Sequence, residues 1–235
     1  MMYFSVPSVV NPGMPDAFER MDRMYRYQRY FYDYTRKYYL LGRDRLLDEM
    51  KIKSGDKVLE VGCGTGRNLK ILASRHPKAS FYGLDASAAM LENAESKLGK
   101  ANIANVRLER ALADDFDFGT RFDSIFFSYS ISMIPTWRSS IDHAIGLLDP
   151  GGRLYLVDFY DLAELPRVFR YALRWWLEQF HVRFPEDLIP YLQSLEIAGY
   201  GDLQLMPLFR RYSFIAAFRK SGKILPHKLK TESNN

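Results

Sequence analysis

The sequence predicts an α/β fold built on a mostly parallel, doubly wound sheet. Three observations predict it. Short apolar runs alternate with helix-like segments from Lys57 to Phe159, which is the rhythm of strand–helix–strand units. The first apolar run ends in a turn carrying Gly62, Gly64 and Gly66, positions where the backbone needs positive φ or close approach by a ligand. The second ends in Asp85, about 20 residues further on, where α/β ligand sites place an acid.

The elements follow in order. Residues 1–18 read as an irregular arm, Arg20–Leu40 as a helix candidate broken near Gly42, and Asp44–Met50 as helix. After a turn at 54–56, strand one is 57–61 and its helix 66–75. Strand two is 79–84 and its helix 87–98. Strand three is 106–110, strand four 122–127, and the helix after it 137–148. A turn at 149–152 (Asp-Pro-Gly-Gly) leads to strand five, 153–159. Helices at 166–180 and 186–198 precede a closing hairpin of 202–207 and 211–218. No internal repeat is visible.

The glycine spacing separates the possible ligands. A dinucleotide loop, G-x-G-x-x-G, needs a third glycine at position 67, where the chain has Arg67. The phosphate loop needs a Lys–Ser/Thr pair, and none follows. An acid two residues before G-x-G-x-G, here Glu60, resembles motif I of the class I S-adenosylmethionine (SAM) methyltransferases. That resemblance implies a Rossmann-like fold over about residues 43–220, with seven strands and the last one antiparallel. It also implies SAM as cofactor, met by Glu60, Gly62, Gly64 and Gly66. Asp85 and Ala86 would meet the ribose, Ala111 and Leu112 the adenine, and the backbone at Ser128 and Tyr129 the methionine moiety. Asp85 can equally serve as a helix N-cap before Ala86–Leu91; the two roles are compatible.

The loop after strand four, 128–135, lacks the [DN]-P-P-[YF] sequence of nucleic-acid amino methyltransferases and the clustered acids of metal-dependent enzymes. A metal-free small-molecule or lipid acceptor is expected, with no nucleic-acid partner. The segment before the domain is the candidate for choosing it. Eight of the fifteen residues from Tyr25 to Tyr39 are aromatic, interleaved with Arg26, Arg29 and Arg36. Packed on the core, this is an ordinary amphipathic helix. Folded over the site it is a lid, with rings able to receive a sulfonium or a methylated ammonium. Residues 21–29 and 35–45 resemble the bacterial betaine-lipid N-methyltransferases, which methylate the amine of diacylglyceryl-homoserine. That resemblance implies a lipid substrate at a membrane surface, whose carboxylate needs a cation that Arg36, Arg43 or Arg45 could supply, with Tyr39 beside the acceptor. Tyr32-Asp33 resembles the Tyr-Asp pair that many methyltransferases place upstream of motif I, which implies Tyr32 as a positioning residue. The arginine-rich, aromatic stretch 167–176 has the composition of an interfacial helix or of a core helix with a basic outer face. The alternatives are a methyltransferase for a soluble small amine or quinone-like ring, and a non-catalytic SAM-binding module.

Composition sets the outer bounds. Hydrophobic residues at 47% and charged ones at 26% of 235 residues suit one globular domain with additions. The expected organisation is an arm and lid over 1–45, the methyltransferase domain over 46–220 and a basic tail over 221–235. The single cysteine, Cys63, excludes an internal disulfide. Inside a glycine loop it reads as a small buried residue rather than a nucleophile. The four histidines have no metal-ligand spacing. A cytoplasmic protein, able to sit peripherally on the inner face of the membrane, is expected. A formal charge of +5 favours anionic surfaces without proving one. Nothing in the sequence fixes the oligomeric state.

Overall fold

A computed structural model describes residues 40–178 and 186–223. The N-terminal arm and most of the expected lid, 1–39, lie outside the described residues, as does the tail from 224. The element order is α1 (Arg43–Glu49), β1 (Lys57–Val61), α2 (Arg67–Arg75), β2 (Ser80–Asp85), α3 (Ala88–Lys100), β3 (Val106–Arg110) and β4 (Phe122–Ser128). Then come a 3-10 turn (Ile131–Met133), α4 (Trp137–Leu147), β5 (Leu148–Phe159), α5 (Arg167–Glu178), α6 (Leu188–Ile197), β6 (Gly201–Leu208) and β7 (Ser213–Lys220).

The seven strands form one sheet in the order β3-β2-β1-β4-β5-β7-β6. β1 to β5 are mutually parallel, and β7 runs antiparallel to both neighbours. This is the Rossmann-like sheet with an inserted antiparallel strand that the sequence predicts. The strand order reverses at β1 and β4, so the crevice for a ligand opens at their carboxyl ends.

Period-two alternation sends side chains to two core layers, and helices cover both faces. Val58, Phe126, Tyr155, Val157 and Ile215 face one layer with Leu46 of α1, Leu69 and Leu72 of α2, and Leu177 of α5. Leu59, Ile125, Phe127, Leu154, Leu156 and Phe214 face the other with Ile141 and Ile145 of α4 and Leu192 of α6. Such doubly covered strands read as near-continuous apolar runs. Phe126 and Phe127 are both fully buried.

Most element bounds fall within two residues of the sequence reading, and two differences have a clear physical cause. β5 begins at Leu148, not Arg153, because Leu148 already pairs with Phe122; the register then shifts before Ser124 meets Arg153. The expected turn at 149–152 is thus an irregularity within the strand. The N-cap of α3 is Ser87, whose hydroxyl accepts from Met90 N at 3.4 Å. Asp85 does not cap the helix; it accepts from Ser87 N at 2.9 Å instead.

Candidate active site

The site is built from the carboxyl ends of β1, β2, β4 and β5. After Val61 the chain turns through Gly62, Gly64 and Gly66, at φ +74°, +53° and +71°. At Gly62 the choice is forced twice. Its φ is left-handed, and a Cβ there would stand 2.6 Å from the Ser130 Cβ. Ser130 in turn donates its hydroxyl to the Val61 carbonyl at 2.7 Å. The loop after β4 therefore lies directly on the glycine turn.

Backbone bonds fix the turn against β2. Gly62 N and Cys63 N both donate to the Leu84 carbonyl, at 2.8 and 2.9 Å. The Asp85 carboxylate accepts from Gly64 N at 2.8 Å with one oxygen and from Ser87 N with the other. One buried acid thus joins the glycine turn to the start of α3. Arg110 at the end of β3 donates to the Ala86 carbonyl at 3.0 Å. Ala111 N donates to the Asp85 carbonyl at 3.3 Å. The sequence-predicted Ala86, Ala111 and Leu112 are thus gathered at one edge, beside Asp85.

Glu60 lies beneath the turn, 1% exposed. Asn68 of α2 donates to its Oε1 at 2.7 Å. Its Oε2 is buried with no hydrogen-bond partner among the described residues. Burial pushes its pKa up to about 8, against the lowering effects of Asn68 and the nearby Arg43. The folded state therefore holds a proton on Glu60 across a range where an unfolded carboxyl has lost it. The associated stability is present below the ordinary carboxyl pKa and is lost as pH rises towards about 8. Without cofactor, the melting temperature is expected to fall between pH 5 and pH 8 by an amount worth roughly a few kcal/mol. Glu60→Gln should flatten that slope in calorimetry; an unchanged slope would remove Glu60 as its source.

Cys63 is buried, and burial raises its thiol pKa well above the ordinary value. This suits a packing residue, not a thiolate nucleophile. At the end of β4, Ser128 Oγ is buried with no partner among the described residues. Tyr129 has φ +54°, and its N–H donates to the Val157 carbonyl at 2.8 Å. Its ring packs edge-on to Phe159, and its hydroxyl donates to the Leu41 carbonyl. Burial pushes that hydroxyl well above its usual pKa, so Tyr129 keeps the proton with which it anchors the lead-in to α1.

Of the predicted acceptor residues, Tyr32, Arg36 and Tyr39 lie outside the described residues. Arg43 opens α1 close enough to Glu60 and Tyr129 to influence both. Gly42, at φ +92°, lets the chain pass Leu208, whose Cδ1 would be 2.8 Å from an added Cβ. Asp44 then pairs with Arg67 at 2.8 Å, tying α1 to the start of α2. Three positions were not singled out from the sequence: Asn68, Ser130 and Asp158. Asp158, 1% exposed, accepts from Ser132 N at 3.0 Å and Phe159 N at 2.8 Å. The signal for Asn68 was present, a polar residue in the first turn of the helix after the glycines; those for Ser130 and Asp158 exist only in three dimensions.

Among the described residues no His, Cys, Asp and Glu cluster could hold a metal ion. The donors suit an uncharged or cationic organic cofactor: a cradle with no side chains at alternate positions, two buried acids and an orphaned carboxyl oxygen. They offer no lysine or hydroxyl pair for a triphosphate.

The sequence model of the methyltransferase domain matches residues 52–188. A demethylmenaquinone methyltransferase from Geobacillus sp. (strain WCH70) is 25% identical over 84% of this chain and 83% of its own length. A trans-aconitate 2-methyltransferase from Pseudomonas paraeruginosa (strain DSM 24068 / PA7) is 33% identical, but over only 46% of this chain and 38% of its own length. In structure, an O-methyltransferase family protein from Burkholderia thailandensis superposes with a TM-score of 0.67 and 19% identity, covering 89% of this chain and 65% of that one. The fold, the glycine cradle and the match over more than half its length place this chain in the methyltransferase domain family, as an enzyme that uses SAM.

Proposed function

We propose that the enzyme methylates a small organic acceptor with a quinone-like ring. The observation that carries this reading is the alignment with a demethylmenaquinone methyltransferase over most of both chains. The loop after β4 supports it, since 128–135 contributes serines, apolar residues and a proline and no acid or lysine. When bound, SAM supplies a methyl group on a sulfonium, open to in-line displacement. The chain's part is alignment and exclusion of water. In this reading Asp85 and Ala86 hold the ribose, Ala111 and Leu112 border the adenine, and Glu60 with the three glycines seats the amino-acid end. Ser128 and Tyr129 border the transferable group.

A second reading, a lipid amine of the diacylglyceryl-homoserine type, is favoured by Arg43. Its guanidinium lies near Glu60 beneath the glycine turn and could receive a carboxylate. Tyr32, Arg36 and Tyr39 would complete that acceptor site. A lipid amine acceptor, or a quinone that carries a lipid tail, would put the enzyme at a membrane surface as a peripheral protein. No described helix is long and apolar enough to cross a membrane.

Methyl-labelled SAM offered with a demethylated naphthoquinol, diacylglyceryl-homoserine and soluble amines separates the readings. Label on the quinol supports the first. Label confined to the lipid amine replaces it with the second. No label in any acceptor sinks both.

A further inference from the structure

The described surface has six large apolar side chains standing exposed, and four lie on α5: Val168, Phe169, Tyr171 and Trp175. A fifth, Phe209, sits in the β6–β7 turn. That turn is at the same edge of the sheet as the cofactor cradle, because β7 runs antiparallel to β5. The helix has two apolar sides. Leu177 is fully buried, and Leu173 and Trp176 pack against the same core layer. Val168, Tyr171 and Trp175, spaced three and four apart, share the opposite side and are 83%, 68% and 65% exposed. Arg167, Arg170 and Arg174 flank that side, and 167–177 contains no acid.

The lead-in to the helix is held firmly. Arg211 grips Asp161 through two of its nitrogens, Nε donating to Oδ1 at 2.8 Å and Nη2 to Oδ2, and its guanidinium carbon lies 4.4 Å from the Tyr160 ring centroid. Hydrogen bonding from Arg211 keeps the Asp161 carboxyl below its usual range. Phe209, Arg210 and Arg211 all have left-handed backbone, at φ 50°, 56° and 59°. Three such non-glycine residues in a row are costly. They persist here where the grip on Asp161 joins the β6–β7 turn to the base of α5.

We propose that the outer side of α5, with Phe209, docks on an anionic lipid bilayer and so sets the cradle edge of the sheet against the membrane. Charge selects this occupant over two others, the chain's own segments and a second copy. Residues 1–39, 179–185 and 224–235 each carry more basic than acidic side chains, so the chain's own segments are poorly matched to an arginine-flanked face. A second copy would bring the same arginines. An anionic bilayer offers the complementary charge, and its interface receives Trp, Tyr and Arg together. The docking rests on the lipid-phase acceptor proposed above, but it is measurable with no acceptor present.

Flotation of the full chain with phosphatidylglycerol–phosphatidylcholine vesicles, against phosphatidylcholine alone, tests it. Binding is expected to the anionic vesicles only, and to weaken in high salt. The triple variant Val168→Ser, Tyr171→Ser, Trp175→Ser should bind about tenfold or more weakly while keeping its SAM affinity. Arg167→Glu, a single surface change, should weaken binding by about fivefold on its own. Failure of the wild type to float, equal binding to neutral vesicles, or both variants floating like wild type overturns the proposal. So does capture of a single-stranded oligonucleotide without vesicle binding, or a dimer that the triple variant dissociates. Floating protein that methylates neither the quinol nor the lipid amine would retain the docking surface and discard the acceptor.

Discussion

Gly62→Ala should weaken SAM binding by about 100-fold or more and lower stability by about 2–4 kcal/mol. Two costs add. The left-handed backbone at φ +74° charges an alanine roughly 1–2 kcal/mol. The new Cβ also meets the Ser130 Cβ at 2.6 Å. Ser130 cannot swing away as a long side chain would, because its Cβ is fixed to the backbone and its hydroxyl is spent on the Val61 carbonyl. Relief therefore means moving the loop after β4, with loss of a buried hydrogen bond worth about 1–2 kcal/mol. Displacing the floor of the site by even a fraction of an ångström removes the fit on which cofactor binding depends, so affinity should fall by about 100-fold or more. Gly55→Ala is the control. Its φ is +88°, yet nothing lies within 4 Å of the added carbon, so it should cost about 1 kcal/mol and leave calorimetric SAM titrations unchanged. Equal SAM affinity in wild type and Gly62→Ala would show that the turn does not contact the cofactor.

Asp85→Ala is expected to weaken SAM binding by about 1–3 kcal/mol and stability by a similar amount. The carboxylate accepts from Gly64 N and Ser87 N, so its loss strands two buried donors and frees the glycine turn from α3. Asp85→Asn separates the structural role from the ligand role. An amide has one acceptor oxygen and can satisfy one of the two backbone donors. It should recover about half of the stability while SAM affinity stays low, if the second oxygen also serves the ribose. Asparagine restoring affinity together with stability would reduce Asp85 to a scaffold residue. Paired denaturation and titration of the two variants decide it.

The fold was legible because its signals are local. Apolar runs such as Ile125–Phe127 and Leu154–Val157 are buried on both faces of the sheet, and burial on both faces writes itself into the sequence as continuous hydrophobicity. Positive φ at 62, 64 and 66 can be met without strain only by glycine, so the cradle was legible too. What stayed hidden depends on contacts between distant segments. Ser130 looks like any loop serine until it lies on Gly62. Asp158 reads as the end of a strand until Ser132 turns back onto it. The early start of β5 escaped because Pro150, Gly151 and Gly152 announce a turn, and only the pairing of Leu148 with Phe122 shows the ladder running through it. The N-cap went to Ser87 and not Asp85 because the acid was already engaged with the glycine turn. The acceptor was least legible, since residues 21–39, which were expected to choose it, lie outside the described part of the chain.

The placement of β7 carries a consequence for synthesis on the ribosome. Leu41, just ahead of α1, is held at its carbonyl by the hydroxyls of Tyr129 and Ser213, the latter 172 positions later in the chain. The first elements to emerge can pair β1, β2 and β4, but the seat for Leu41 is finished only when the final strand slides between β5 and β6. Until then the segment entering α1, with Arg43 beside Glu60, has lost one of its two anchors. The entrance beside the glycine turn is therefore complete only once nearly the whole of the described chain has been made.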